Sequence, residues 1–264
     1  MEAGMMKKIM GPFRGIVFGF ANRYSLAWKI VEALLPYGGE ITVTYQNERV
    51  KKNIQKLDLK TAGKSLTFLP CDVQDVQQVK AVCDHAGGID KSLDFIVHSI
   101  AFAPTRAFDN PLYSCTSADF AKAMDISVHS LMTVTRYALP YLTAGKGSVL
   151  TLTYLGSERV LPGYHIMGVA KAALEASVRY LSYELGAHGV RINALSPGPV
   201  HTLSAGAIPE FSRIREIFKA RSAFKRDMEA EELADTALFF VSPLSRGITG
   251  QVVYVDHNYN RMGI

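Results

Sequence analysis

The chain has 264 residues, 48% hydrophobic and 20% charged, a balance that excludes a disordered or fibrous protein and is long enough for a full apolar core. Its formal net charge of +5 is mild, and no run interleaves basic with aromatic residues, so no nucleic-acid partner is expected, whereas an acidic partner is favoured. The three cysteines, Cys71, Cys83 and Cys115, have no C-x-x-C spacing and read as small buried hydrophobes in a reducing compartment.

In chain order, Lys7 and Lys8 are followed by Pro12 and Arg14, which break any apolar stretch. Neither a secretory leader nor a membrane span is read, and the expected address is cytoplasmic. A short apolar run over 15–20 predicts a buried strand, and an amphipathic pattern predicts a helix over 26–37. Strands over 40–45 and 65–70 precede a helix over 73–85, and a strand over 93–99 precedes a long helix over 117–141. A strand over 148–153 leads to a helix over 164–188, and strands over 191–196 and 251–256 complete the series. Buried strands alternating with helices imply an α/β chain. The expectation is a single domain over 1–264, a doubly wound Rossmann fold with a central parallel sheet of about seven strands flanked by helices. The stretch 200–228 breaks the rhythm, with Gly206 and Pro209 ahead of many basic residues, and is expected to be a substrate lid.

In such a fold a dinucleotide lies across the carboxyl ends of the strands. The first strand ends in Gly19-Phe20-Ala21-Asn22-Arg23-Tyr24-Ser25-Leu26, and a helix follows at once. A tight strand-to-helix turn offers free N–H groups and the positive end of a helix dipole to a pyrophosphate. The G-x-G-x-x-G fingerprint is absent, and Ser25 can either bond a phosphate oxygen or cap the helix. At the second strand end, Gln46 can meet the adenosine ribose without charge; no cation follows immediately, although Arg49 is close, so NADH is favoured over NADPH. Asp72, followed by Val73, can accept from the adenine amino group or cap the next helix. His98-Ser99-Ile100-Ala101-Phe102-Ala103 is small and apolar enough for a cofactor to lie against its backbone. The cofactor-binding candidates are thus Gly19, Ser25, Leu26, Gln46, Asp72, Val73, Ser99 and Ile100.

The layout resembles that of short-chain dehydrogenases, whose frame is Ser-x12-Tyr-x3-Lys. Counting back from Lys171, Met167 stands in the tyrosine position and Tyr154 in the serine position, so the ketone-reducing triad is missing. Tyr164 instead lies seven residues before Lys171, two turns away on the same helix face. With Tyr154-Leu155-Gly156-Ser157-Glu158-Arg159, Pro162-Gly163-Tyr164, Met167-Gly168 and Ala170-Lys171-Ala172, the chain resembles bacterial enoyl-acyl-carrier-protein reductases of the short-chain dehydrogenase type. Thr44-Tyr45-Gln46-Asn47, Cys71-Asp72-Val73, Met124-Asp125-Ile126-Ser127 and Val255-Asp256 extend the resemblance over nearly the whole chain.

The resemblance implies NADH-dependent reduction of the trans-2 double bond of an enoyl thioester carried by acyl carrier protein, in a homotetramer. It implies Tyr164 as donor to the enolate oxygen, Lys171 as holder of the nicotinamide ribose, and Tyr154 as a pocket residue that can relay a proton. It further implies Val200 and Thr202 at the carboxamide, Ala103 against the substrate, and cations of 211–221, Arg213 and Arg215 among them, steering the carrier protein. The bland reading of 211–221 is a solvated amphipathic helix. Pro197, the pair His257-Asn258 and Phe20 depart from the family pattern. The histidines show no ligand spacing, so no metal is expected. Two rivals remain: a 3-hydroxyacyl or carbonyl dehydrogenase of the same fold, which needs the missing triad, and a non-catalytic NAD-sensing protein.

Overall fold

Alternation of side chains along each strand decides how the core is divided. The computed structural model describes residues 10–57, 59, 66–202 and 211–263. Strands β1 (Arg14–Phe20), β2 (Glu40–Tyr45), β3 (Leu66–Pro70), β4 (Phe95–His98), β5 (Ser148–Leu152), β6 (Arg191–Pro197) and β7 (Val252–Val255) form one sheet in the order β3-β2-β1-β4-β5-β6-β7. Every neighbouring pair is parallel. The longer helices are α1 (Leu26–Leu34), α2 (Val76–Gly87), α3 (Ser117–Met124), α4 (Ser130–Gly145), α5 (His165–Gly186), α6 (Phe211–Arg221) and α7 (Ala230–Val241).

Successive strand residues face opposite sides. Val17, Phe95, Val97, Leu150 and Leu195 pack with Trp28 and Val31 of α1 and with Leu233 and Ala237 of α7. Ile16, Phe18, Ile96, Val149 and Ile192 pack on the other side with Val82 of α2, Val134 of α4 and Leu174 of α5. Both faces are therefore covered, as parallel strands require. The strand order reverses between β1 and β4, which opens a crevice at their carboxyl ends.

Several boundaries differ from the sequence reading. The helix expected over 26–37 is α-helical to Leu34 and tightens to a 3-10 turn over Leu35–Tyr37, where Pro36 enters. The helix expected from 73 begins at Val76, because Asp75 is its cap and accepts from the N–H groups of Gln77 and Gln78. The long helix expected over 117–141 is divided into α3 and α4 by a π-turn at Asp125–His129. Helix α7, with a capping box between Glu229 and Glu232, was not anticipated. Of the expected lid segment 200–228, residues 203–210 lie outside the described residues, and 211–221 forms an amphipathic helix with Phe211 and Phe218 buried.

Candidate active site

At the end of β1, Gly19 has φ +99°, and a Cβ there would lie 2.1 Å from the carbonyl oxygen of Ser99. Only glycine permits that backbone, so β1 and β4 meet at their ends with no side chain between them. The turn is closed by its own polar groups: Tyr24 N–H donates to Asn22 Oδ1 at 2.8 Å, and Ser25 Oγ donates to Asn22 O at 2.7 Å. Ser25 makes no side-chain cap on α1. The capping alternative is thereby corrected, since the hydroxyl is turned back onto the loop. Leu26 and Ala27 open the helix, where N–H groups have no intrahelical acceptor. Phe20 does not crowd this turn. It is buried against Trp28 and Phe68, with ring centroids 5.8 and 5.9 Å away.

Gln46 is exposed at the end of β2, next to Asn47, whose Oδ1 accepts from Val50 N and caps the short helix Glu48–Lys51. Asn53 Nδ2 donates to Ala21 O at 2.8 Å and ties this segment to the first turn. Asp72 Oδ1 accepts from Gln74 N in a local turn, and the cap role considered for it belongs to Asp75. Ser99 N–H donates to Phe18 O, which sets it and Ile100 beside Gly19. Val200 is buried in the core; Thr202 is half-buried.

Tyr154, Tyr164 and Ala103 come together as the sequence suggested. Ala103, Tyr164, Ile166 and Met167 are buried in a small separate cluster with Ala107 and Ala123, against which Tyr154, Leu161 and Phe108 pack. The two phenol rings meet edge-on, 5.2 Å apart at 69°. Burial pushes both hydroxyls far above the ordinary tyrosine range, so both stay protonated at neutral pH. Met167, in the position where a ketone-reducing enzyme of this layout carries its tyrosine, is 4% exposed and has no hydroxyl to offer.

Lys171 is 5% exposed, and its Nζ donates to Leu152 O at 2.6 Å. Burial pulls its pKa down to about 8, against an opposing pull from Glu175. The π-turn also serves this end of the sheet, because Ser127 Oγ donates to Phe102 O and accepts from Phe102 N, both at 3.0 Å.

Two features escaped the sequence reading. Glu175, 5% exposed, accepts from Thr153 Oγ at 2.5 Å. Its spacing of four from Lys171 on one helix was the available signal. His98 is fully buried between Thr151 Oγ1 (3.0 Å) and Ser130 Oγ (2.8 Å), and burial together with the Lys171 charge pulls it down to about 3. Cys71 and Cys83 are buried free thiols, each pushed up to about 12 by burial, as suits unreactive packing residues. Among the described residues, no group of three or more His, Cys, Asp or Glu is placed to hold a metal ion, and no helix is long and apolar enough to cross a membrane.

A family model described as enoyl-(acyl carrier protein) reductase matches residues 19–260. The chain is 41% identical over 258 residues to an NADH enoyl-acyl-carrier-protein reductase of Rhizobium meliloti, covering 97% of this chain and 93% of that protein. It is 40% identical over 248 residues to a similarly named NADH enzyme of Bacillus cereus, covering 94% and 96%. A crystal structure of a Bacillus cereus enoyl-acyl carrier protein reductase with NADP+ and indole naphthyridinone superposes with a TM-score of 0.91 at 39% identity, covering 97% of this chain and 98% of that one. The enzyme of Anaplasma phagocytophilum in complex with NAD gives a TM-score of 0.89 at 38% identity, covering 97% and 96%.

Proposed function

The chain belongs to the enoyl-(acyl carrier protein) reductase family, and on that premise we propose how its residues carry the reaction. It is an NADH-dependent enoyl-acyl-carrier-protein reductase, which saturates the trans-2 double bond of an enoyl thioester. The residues present fit the dinucleotide. The Gly19 turn leads to the open N–H groups of Leu26 and Ala27, and Leu152 O takes only one of the three ammonium protons of Lys171.

Gly19, Ser25 and Leu26 would hold the pyrophosphate, Gln46 the adenosine ribose, and Asp72 and Val73 the adenine. Ser99 and Ile100 would line the bed of the cofactor, Val200 and Thr202 would meet the carboxamide, and Lys171 the nicotinamide ribose. When bound, NADH supplies the hydride that adds to the β-carbon of the enoyl thioester. Tyr164 donates a hydrogen bond to the thioester oxygen, which strengthens as charge gathers there, and a proton from solvent, relayed by Tyr154, adds at the α-carbon to complete the saturated thioester. A phenol kept protonated by burial is suited to donate. Tyr154 and Ala103 shape the apolar acyl site around it.

The observation that carries this reading is the edge-on contact between half-buried Tyr154 and buried Tyr164, on an apolar cluster in which Met167 fills the dehydrogenase tyrosine position. A cytoplasmic homotetramer that accepts the substrate from acyl carrier protein, with 200–228 as lid, completes the proposal. It is supported by the family membership and by the cations of α6, Arg213, Arg215, Lys219 and Arg221. The test follows NADH absorbance with a crotonyl thioester for wild type, Tyr164→Phe and Lys171→Ala, with NADPH alongside. Rapid NADH oxidation, abolished by Lys171→Ala and slowed by Tyr164→Phe, is expected; tight NADH binding without turnover would favour a sensor instead.

A further inference from the structure

The last residue of β5 and the two that follow it anchor the site in succession. Leu152 offers its carbonyl to Lys171, Thr153 gives its hydroxyl proton to Glu175, and Tyr154 sets its ring on Tyr164. Two of these anchors serve groups already given a part in the chemistry. The third serves a buried carboxylate that the mechanism above does not use.

An ammonium removed from water costs several kcal/mol unless an opposite charge lies near it. Residues four apart on a helix are neighbours on one face. Glu175 is four residues beyond Lys171 on α5, both side chains are 5% exposed, and both heads are tied to consecutive residues at the end of β5. We propose that Glu175 is a positioning residue of the reductase, a buried counter-charge held by Thr153 that keeps the Lys171 ammonium cationic at the end of β5. The inference rests on the assignment of Lys171 given above, and it adds a residue to it. Glu175 touches neither substrate nor cofactor in this scheme; it acts through Lys171.

The surrounding groups leave the pair to set the local charge. His98 on β4 senses Lys171, while Tyr254 on β7 senses Glu175 together with Glu158 and Asp256. His98 is held neutral near neutral pH, and Tyr154, Tyr164 and Tyr254 are held protonated by burial, so none of these four changes charge between about pH 6 and pH 9. Burial lowers Lys171 and Glu175 raises it. Removing the Glu175 charge therefore lets Lys171 lose its proton at a lower pH than in the wild type.

The test is the pH profile of kcat/KM for a crotonyl thioester with NADH, measured for wild type, Glu175→Gln, Glu175→Asp and Thr153→Val. Glutamine keeps an acceptor for the Thr153 hydroxyl and deletes only the charge. The alkaline limb should move toward acid by about one pH unit or more in Glu175→Gln. It should move less in Glu175→Asp, which restores the charge, and in the same direction in Thr153→Val, which loosens the carboxylate. Near-UV circular dichroism establishes that each variant is folded. An alkaline limb that stays in place in folded Glu175→Gln overturns the proposal; if that variant does not fold, an unmoved limb in Thr153→Val does so. A wild type that reduces no enoyl thioester would instead sink the reductase reading on which the proposal rests.

Discussion

Gly19→Ala is the most informative single change, because its cost can be worked from the geometry. The added Cβ would lie 2.1 Å from Ser99 O, more than 1 Å inside the 3.4 Å where ordinary contact begins, and the φ of +99° is one that an L side chain rarely adopts. The left-handed backbone costs about 1–2 kcal/mol. Moving the β4 end to relieve the contact costs a further ~1–3 kcal/mol. Together these amount to about 2–5 kcal/mol, or a melting point lower by about 5–15 °C for a chain of this size. The displaced groups are Ser99 and the N–H groups that open α1, so the KM for NADH should rise on the order of tenfold, equivalent to ~1.4 kcal/mol. The KM for the enoyl thioester should change far less. Differential scanning calorimetry and initial-rate kinetics with each substrate varied measure both effects. A variant that melts within about 2 °C of wild type and keeps its NADH KM would show that neither steric cost exists.

Three further predictions follow from separate parts of the fold. His98 is pulled down to about 3 in the folded chain, so its contribution to stability is complete above its unfolded pKa of about 6.5 and is lost as pH falls toward 3. Chemical denaturation between pH 7 and pH 4 should show a decline in stability that His98→Asn makes shallower; parallel profiles would exclude the buried histidine as the cause. Phe20→Ala removes a ring packed on Trp28 and Phe68 and should destabilise by about 3–5 kcal/mol, with little change in NADH affinity for protein that remains folded. Charge reversal at Arg213 and Arg215 should raise KM for a carrier-bound enoyl substrate more than for a small thioester, an effect that salt erases. Arg215 also pairs with Asp227 at 2.9 Å, so Arg215→Gln is the control for loss of that pair.

The sheet was legible because fully buried parallel strands leave short continuous apolar runs between turn residues, and all seven appear within a few residues of their expected limits. The helix ends were less legible. Asp72 and Asp75 are both plausible caps by residue type, and only the hydrogen bonds to Gln77 and Gln78 decide for Asp75. The division of the 117–141 helix was not legible because the π-turn is itself buried, at Ile126, Ser127 and Val128, so the apolar pattern runs on through it. Helix α7 buries Leu233, Ala234, Ala237, Phe240 and Val241 at helical spacing, a stripe that the exposed Phe239 and half-buried Leu238 blur in the sequence. At the site, Tyr154, Tyr164 and Ala103 are proposed from spacing and resemblance, and the structure places Tyr154 against the cluster that holds the other two. Glu175 was passed over because an acid on a helix is ordinarily a solvated one; its burial depends on the Thr153 hydroxyl, a contact between residues 22 positions apart. His257 and Asn258 both have positive φ, 50° and 67°, which is why glycine-like residues are expected there. Here the His257 ring is held by Glu232 at 3.0 Å and packs on Phe224 and Phe218.

As a reductase of this family, the chain delivers hydride to the β-carbon of an enoyl thioester. The most direct measurement incubates the enzyme with a crotonyl thioester and NADH carrying deuterium at the transferred position, and locates the label by mass spectrometry and NMR. A saturated butyryl thioester with deuterium at its β-carbon is expected, formed in step with NADH oxidation and absent with Lys171→Ala. An unreacted crotonyl thioester, in an assay where a 3-ketoacyl thioester is reduced to its labelled 3-hydroxyacyl product, would contradict it.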